Sequence, residues 1–72
     1  MEEERSEYEE RLIVETFFTE PTIPKVRLTR IRDDGKIQWV VDHGEVEIVR
    51  TTDRKLGLDN YRVVVDKVLT NL

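Results

Sequence analysis

Three groups of residues in this chain invite a chemical reading. His43, the single histidine, stands among Asp42, Glu45 and Glu47. Imidazole and carboxylates are ligands for divalent metals, but this spacing does not set four donors around one point. A turn histidine beside solvated acids accounts for the cluster better. Asp33 and Asp34 are adjacent carboxylates, the residue type of general acid–base pairs, yet in front of Gly35 they are better explained as turn formers. With one histidine and no cysteine, most nucleophile–base arrangements are excluded. The expectation is a protein that is not an enzyme, with no catalytic residue, metal or cofactor and no evident small-molecule substrate.

The third group is basic. Arg30, Arg32 and Arg50 fall around Trp39, with Lys25, Arg27 and Lys36 on the same stretch. Guanidinium groups beside an aromatic ring hold phosphates and stack on bases, so these residues are the candidate nucleic-acid contacts. The competing explanation is structural: the arginines close the end of a small barrel, cover Trp39 and pair with Glu15, Glu20 or Asp66.

The element that must position these groups lies in residues 26–50, which read as three strands joined by two glycine turns. Asp34-Gly35 is a favoured two-residue hairpin loop and His43-Gly44 a weaker one. With two-residue loops at both, Leu28 faces Val41 and Val41 faces Val46, while Arg30 faces Trp39 and Trp39 faces Ile48. Leu28, Ile37, Trp39, Val41, Val46 and Ile48 then share a core face. The other face carries Arg27, Asp42 and Glu45 in one row, Thr29, Val40 and Glu47 in the next, and Ile31, Gln38 and Val49 in the last. A three-residue loop at residues 33–35 would oppose Arg32 and Lys36 and move Leu28 off the Trp39 face, and is rejected on that ground. Ile31, Val40 and Val49 with Thr29 are apolar or small residues on the outward face, and are therefore the candidate protein-contact surface.

On either side the signals are simpler. Residues 1–10 are an acidic arm, expected to be disordered or a short helix; Ser6 followed by Glu9 fits a capping box. From Leu12 the chain turns β-branched and aromatic, with apolar residues at both parities, as in a strand covered on both sides. Pro21 and Pro24 end it. Residues 51–57 suggest one helical turn, capped by Thr52 or Asp53 and stopped by Gly57. Residues 61–68 suggest a last strand. The expected fold is therefore all-β, with residues 11–72 as a single small domain. It resembles a five-stranded SH3-like barrel, or a strongly bent sheet, with a short helical turn before the last strand; an OB-like barrel is the runner-up. An acidic helix ahead of such a barrel is similar to the Sm-type arrangement, although none of the Sm motifs is present.

Composition bounds the rest. Seventy-two residues are near the lower limit for one unassisted core. Charged residues make up 39% of the chain, a thermophile-like balance given so few thermolabile side chains. The net charge of −4 is uneven: residues 1–20 hold eight acids against Arg5 and Arg11, and the remainder is slightly basic. The absence of cysteine, of a signal peptide and of an apolar span leads to the expectation of an intracellular, cytoplasmic protein without a membrane partner. The expected function is binding another protein or a second copy of itself. Binding nucleic acid through Arg30, Arg32, Arg50, Lys25 and Lys36 is the alternative. A viral or accessory inhibitor whose acidic arm mimics nucleic-acid charge is a further one.

Overall fold

A computed structural model describes residues 7–72 of the chain. Four strands precede one helix: β1 (Tyr8–Thr16), β2 (Val26–Asp33), β3 (Lys36–His43), β4 (Val46–Thr51) and α1 (Arg54–Thr70). The strands form one antiparallel sheet in the order β1-β2-β3-β4. The fold is mostly β, and the sheet is open, with β1 and β4 as its two edges.

The first hairpin takes the register that its sequence favours. Asp33 pairs with Lys36, Arg30 with Trp39 and Leu28 with Val41. Asp34 and Gly35 both have positive φ, 56° and 81°, as a type I′ turn requires. The second hairpin departs from expectation. His43 pairs with Val46, so the two loop residues are Gly44 and Glu45 rather than His43 and Gly44. Gly44 takes φ 67° at the first loop position, where a type II′ turn favours glycine. Its N–H donates to the Lys25 carbonyl at 2.9 Å, and a Cβ there would stand 2.8 Å from Pro24 Cβ. Contact with Pro24 therefore helps to place the turn.

A second change of register follows further along β4. Asp42 pairs with Glu47 but Val41 pairs with Val49, so the ladder contains an irregularity with Ile48 as the extra residue. Val41 thus faces Val49 instead of Val46, and Trp39 faces Thr51 instead of Ile48. Val49 joins the covered side of the sheet, while Val46 and Ile48 are left exposed.

The largest correction concerns residues 61–68, which are helix and not a fifth strand. No barrel forms. Asp53 caps α1, its carboxylate accepting from the N–H groups of Lys55 and Leu56, and Gly57 does not stop it. Gly57 is buried, and a Cβ on it would stand 2.8 Å from Trp39 Cβ. The glycine therefore lets the helix backbone lie directly on the sheet. Beyond it, Leu58, Tyr61, Val64, Val65 and Val68 pack against the core. Their spacing of three and four residues makes one helix face. The run Val63-Val64-Val65 favours a strand locally, but as helix it delivers two valines to that face, and burial outweighs propensity.

Val26, Leu28 and Val41 are fully buried beneath α1, with Tyr61 beside them and Phe18, Trp39 and Val49 around the margin. The Tyr61 hydroxyl hydrogen-bonds Thr16 and so ties the helix to β1. Because β1 starts at Tyr8, residues 8–10 of the acidic arm are strand. The expectation of a helical or disordered arm otherwise falls on residues 1–6, which lie outside the described residues.

Candidate interaction surfaces

Alternation along β2 and β3 sends Leu28, Trp39 and Val41 toward α1 and Thr29, Ile31 and Val40 to the opposite face. The helix-free face does not expose its apolar residues. Ile31 is 8% and Val40 3% exposed. They form the floor of a groove of about 210 Å³, whose walls are Tyr8 and Glu10 from β1 and Glu47 and Arg50 from β4. Strand twist brings these edge residues into one groove. The shifted register sets Arg50 opposite Val40. Two hydrogen bonds from its guanidinium to Glu47, at 2.9 and 3.2 Å, and one to Gln38 at 2.8 Å hold it over the floor.

The proposed contact group is therefore not assembled as an exposed patch. Ile31 and Val40 share the groove floor with Thr29, and Val49 lies on the other side of the sheet against the core. Val49 moved because the irregularity at Ile48 reverses its side, a tertiary adjustment with no local signature in residues 46–51.

Electrostatics in the groove reflect partial enclosure. Burial raises the Asp42 carboxyl above the ordinary aspartate value against the pull of Arg27, with Glu47 adding to the rise. Glu47 is held below the ordinary glutamate value by its hydrogen bonds to Arg50. The Tyr8 hydroxyl donates to Glu10, and this bond raises the phenol above its usual value. The groove is polar and falls below the roughly 300 Å³ at which small-molecule sites begin. Within it Glu47 and Arg50 form an ion pair and Tyr8 bonds Glu10, so its lining is polar above an apolar floor.

The basic residues are divided. Arg30 and Arg32 lie on the α1 side of β2, where Glu9 approaches Arg32 at 3.8 Å and Arg11 at 3.6 Å. Arg50 is on the helix-free face, as is Lys36, the neighbour of Asp33 at the hairpin tip. Lys25 belongs to the other end of the sheet. It pairs with Glu15 at 3.3 Å and its ammonium sits 5.4 Å from the Phe17 ring centroid. These five residues do not form one patch. Of the acids expected to pair with the arginines, Glu15 instead takes Lys25.

Two further features were less evident in the sequence. The chain between β1 and β2 folds over Gly44 into an open apolar groove of about 520 Å³, lined by Phe17, Phe18, Ile23 and Pro24 with Lys25 and Arg27 at its rim. Phe17 is 70% exposed. The second feature is the pair of free sheet edges. In β1 Leu12, Ile13 and Val14 are all exposed, contrary to the expectation that this strand is covered on both sides. An irregularity in the ladder between Leu12 and Val14 accounts for apolar residues at both parities. In β4, Val46 and Ile48 are exposed.

Among the described residues no group of three or more metal-ligating side chains occurs. Asp42 and His43 point to opposite faces, and His43 Nε2 is enclosed without a hydrogen-bond partner among the described residues. No helix among them is long and apolar enough to cross a membrane. Compared with protein-family models, curated proteins and solved structures, the chain matches none of them.

Proposed function

We propose that this chain is a non-enzymatic interaction module that binds a protein strand along a free edge of its sheet. The observation that carries the reading is the state of the two edges. Among the described residues no strand pairs with the outer side of either, and each carries exposed β-branched or leucine side chains: Leu12, Ile13 and Val14 in β1, and Val46 and Ile48 in β4. Main-chain hydrogen bonds to an added strand supply affinity, and the flanking side chains supply selectivity. The contact surface is accordingly moved from Ile31, Val40, Val49 and Thr29 to the edges.

The test is capture from native extract by the full chain, set beside Ile13→Lys and Val46→Lys variants whose circular dichroism matches the parent. Loss of a captured protein in either variant supports the reading. Capture that both variants leave undiminished would overturn it.

One observation favours a second reading. Arg11 and Arg30 are directly paired across β1 and β2, and like charges so placed favour a polyanion between them. The candidate nucleic-acid residues then become Arg11, Arg30 and Arg32. Single-stranded DNA binding that weakens steeply with salt and is abolished by Arg30→Ala with Arg32→Ala is the expected result; binding indifferent to either rejects it.

A further inference from the structure

The outer edge of β4 is complementary to its own reverse. In a regular strand, residues three apart point to opposite faces. In β4 the extra residue Ile48 brings Glu47 and Arg50 onto one face, where they form an ion pair of 2.9 Å and line the same groove. Val46, Val49 and Thr51 fall on the other face through their pairing with His43, Val41 and Trp39.

We propose that β4 pairs antiparallel with β4 of a second copy of this chain, joining two four-stranded sheets edge to edge. This rests on the edge-binding reading above and names its partner. The two-fold axis passes between Ile48 and Val49. In that register Glu47 of each copy faces Arg50 of the other, Val46 faces Thr51, and Ile48 faces Val49. The two charged pairs are identical by symmetry and no like charges meet, as a closed isologous contact requires. A slip of one residue in either direction sets side chains of opposite faces against each other. The exposed Val46 and Ile48 are covered, and the free main chain of this edge is satisfied. β1 lacks this property: in the matching register, Ile13 against Val14, Glu15 faces Leu12 and Arg11 faces Thr16, so no opposite charges meet. A six-residue strand makes a contact at the small end of specific interfaces, so the dimer dissociates on dilution.

Sedimentation of the full chain over a range of concentrations tests the proposal. The parent is expected to dimerise reversibly. Glu47→Arg and Arg50→Glu are each expected to weaken dimerisation about tenfold or more, with circular dichroism unchanged. An equimolar mixture of the two variants is expected to form a one-to-one heterodimer. In that mixture each altered charge meets its opposite across the interface, while the pair within each chain stays broken. The heterodimer therefore reports the intermolecular contact alone. A parent that stays monomeric throughout, or a mixture that does not associate, overturns the self-pairing. If Val46→Lys still abolishes capture of another protein by a monomeric parent, self-pairing alone falls and the edge-binding reading stands. If capture is indifferent to Val46→Lys and Ile13→Lys as well, both fall.

Discussion

Leu28 and Val40 belong to the same hairpin and are almost equally hidden, at 0% and 3% exposure, yet by different means. Leu28 lies under a helix whose backbone comes close because Gly57 has no side chain. Val40 lies on the opposite face, beneath an arginine held by Glu47 and Gln38. The first kind of cover is dry and close-packed, so its loss is felt in full. The second is a flexible charged side chain whose position depends on ion pairing, and exposed pairs contribute little and are screened by salt. One sheet thus has a face that sustains the fold and a face that is merely closed over.

The comparison breaks most visibly at Leu28. Leu28→Ala leaves a cavity under α1 and is expected to lower unfolding free energy by about 2–5 kcal/mol, read from the urea midpoint. Gly57→Ala comes next. Alanine favours helix, but its Cβ at 2.8 Å from Trp39 Cβ forces the helix away. A net loss of about 1–3 kcal/mol is expected, with a change in Trp39 fluorescence. Val40→Ala removes two methyl groups from beneath Arg50 and is expected to cost about 1–2 kcal/mol; a loss equal to that of Leu28→Ala would erase the distinction between the faces.

The smallest effects sharpen the polar face through pH. The Asp42 carboxyl is raised in the folded chain, chiefly by burial. The folded state therefore holds its proton more tightly than the unfolded state, and ionisation lowers stability as pH rises through the folded value. Asp42→Asn is expected to raise the melting temperature at neutral pH, with the gain vanishing below the ordinary aspartate value of 3.8. Glu47 is lowered by Arg50, so the sign reverses. Its contribution is present above the ordinary glutamate value and is lost as pH falls through the folded one. Glu47→Gln is expected to lower the melting temperature at neutral pH and to have no effect in acid.

Which residues share a face was legible only where the chain has one workable register. The Asp34-Gly35 loop could be read because the three-residue alternative opposes Arg32 and Lys36 and divides the apolar face. The second loop had no such penalty. His43-Gly44 and Gly44-Glu45 are both acceptable locally, and contact between Gly44 and Pro24 favoured the latter. Beyond the loop, the irregularity at Ile48 turned Val49 inward and aligned Glu47 with Arg50. Val49 left the face of Ile31 and Val40 for this reason, and the basic residues divided because Arg30 and Arg32 lie on the face opposite to Arg50.

By itself the sequence determined a mostly antiparallel sheet, with a first hairpin fixed by turn chemistry and by alternation of apolar residues. These are short-range effects, complete within a few residues. Tertiary structure decided that residues 61–68 coil into a helix, because the half-made sheet offered Leu28 and Val41 an uncovered apolar face. A helix with Gly57, Tyr61, Val64 and Val68 on one side covers that face as a fifth strand in the same sheet would not. With the last segment used as a lid, no strand remained to close a barrel. The two edges stayed open, and they are where the proposed function resides.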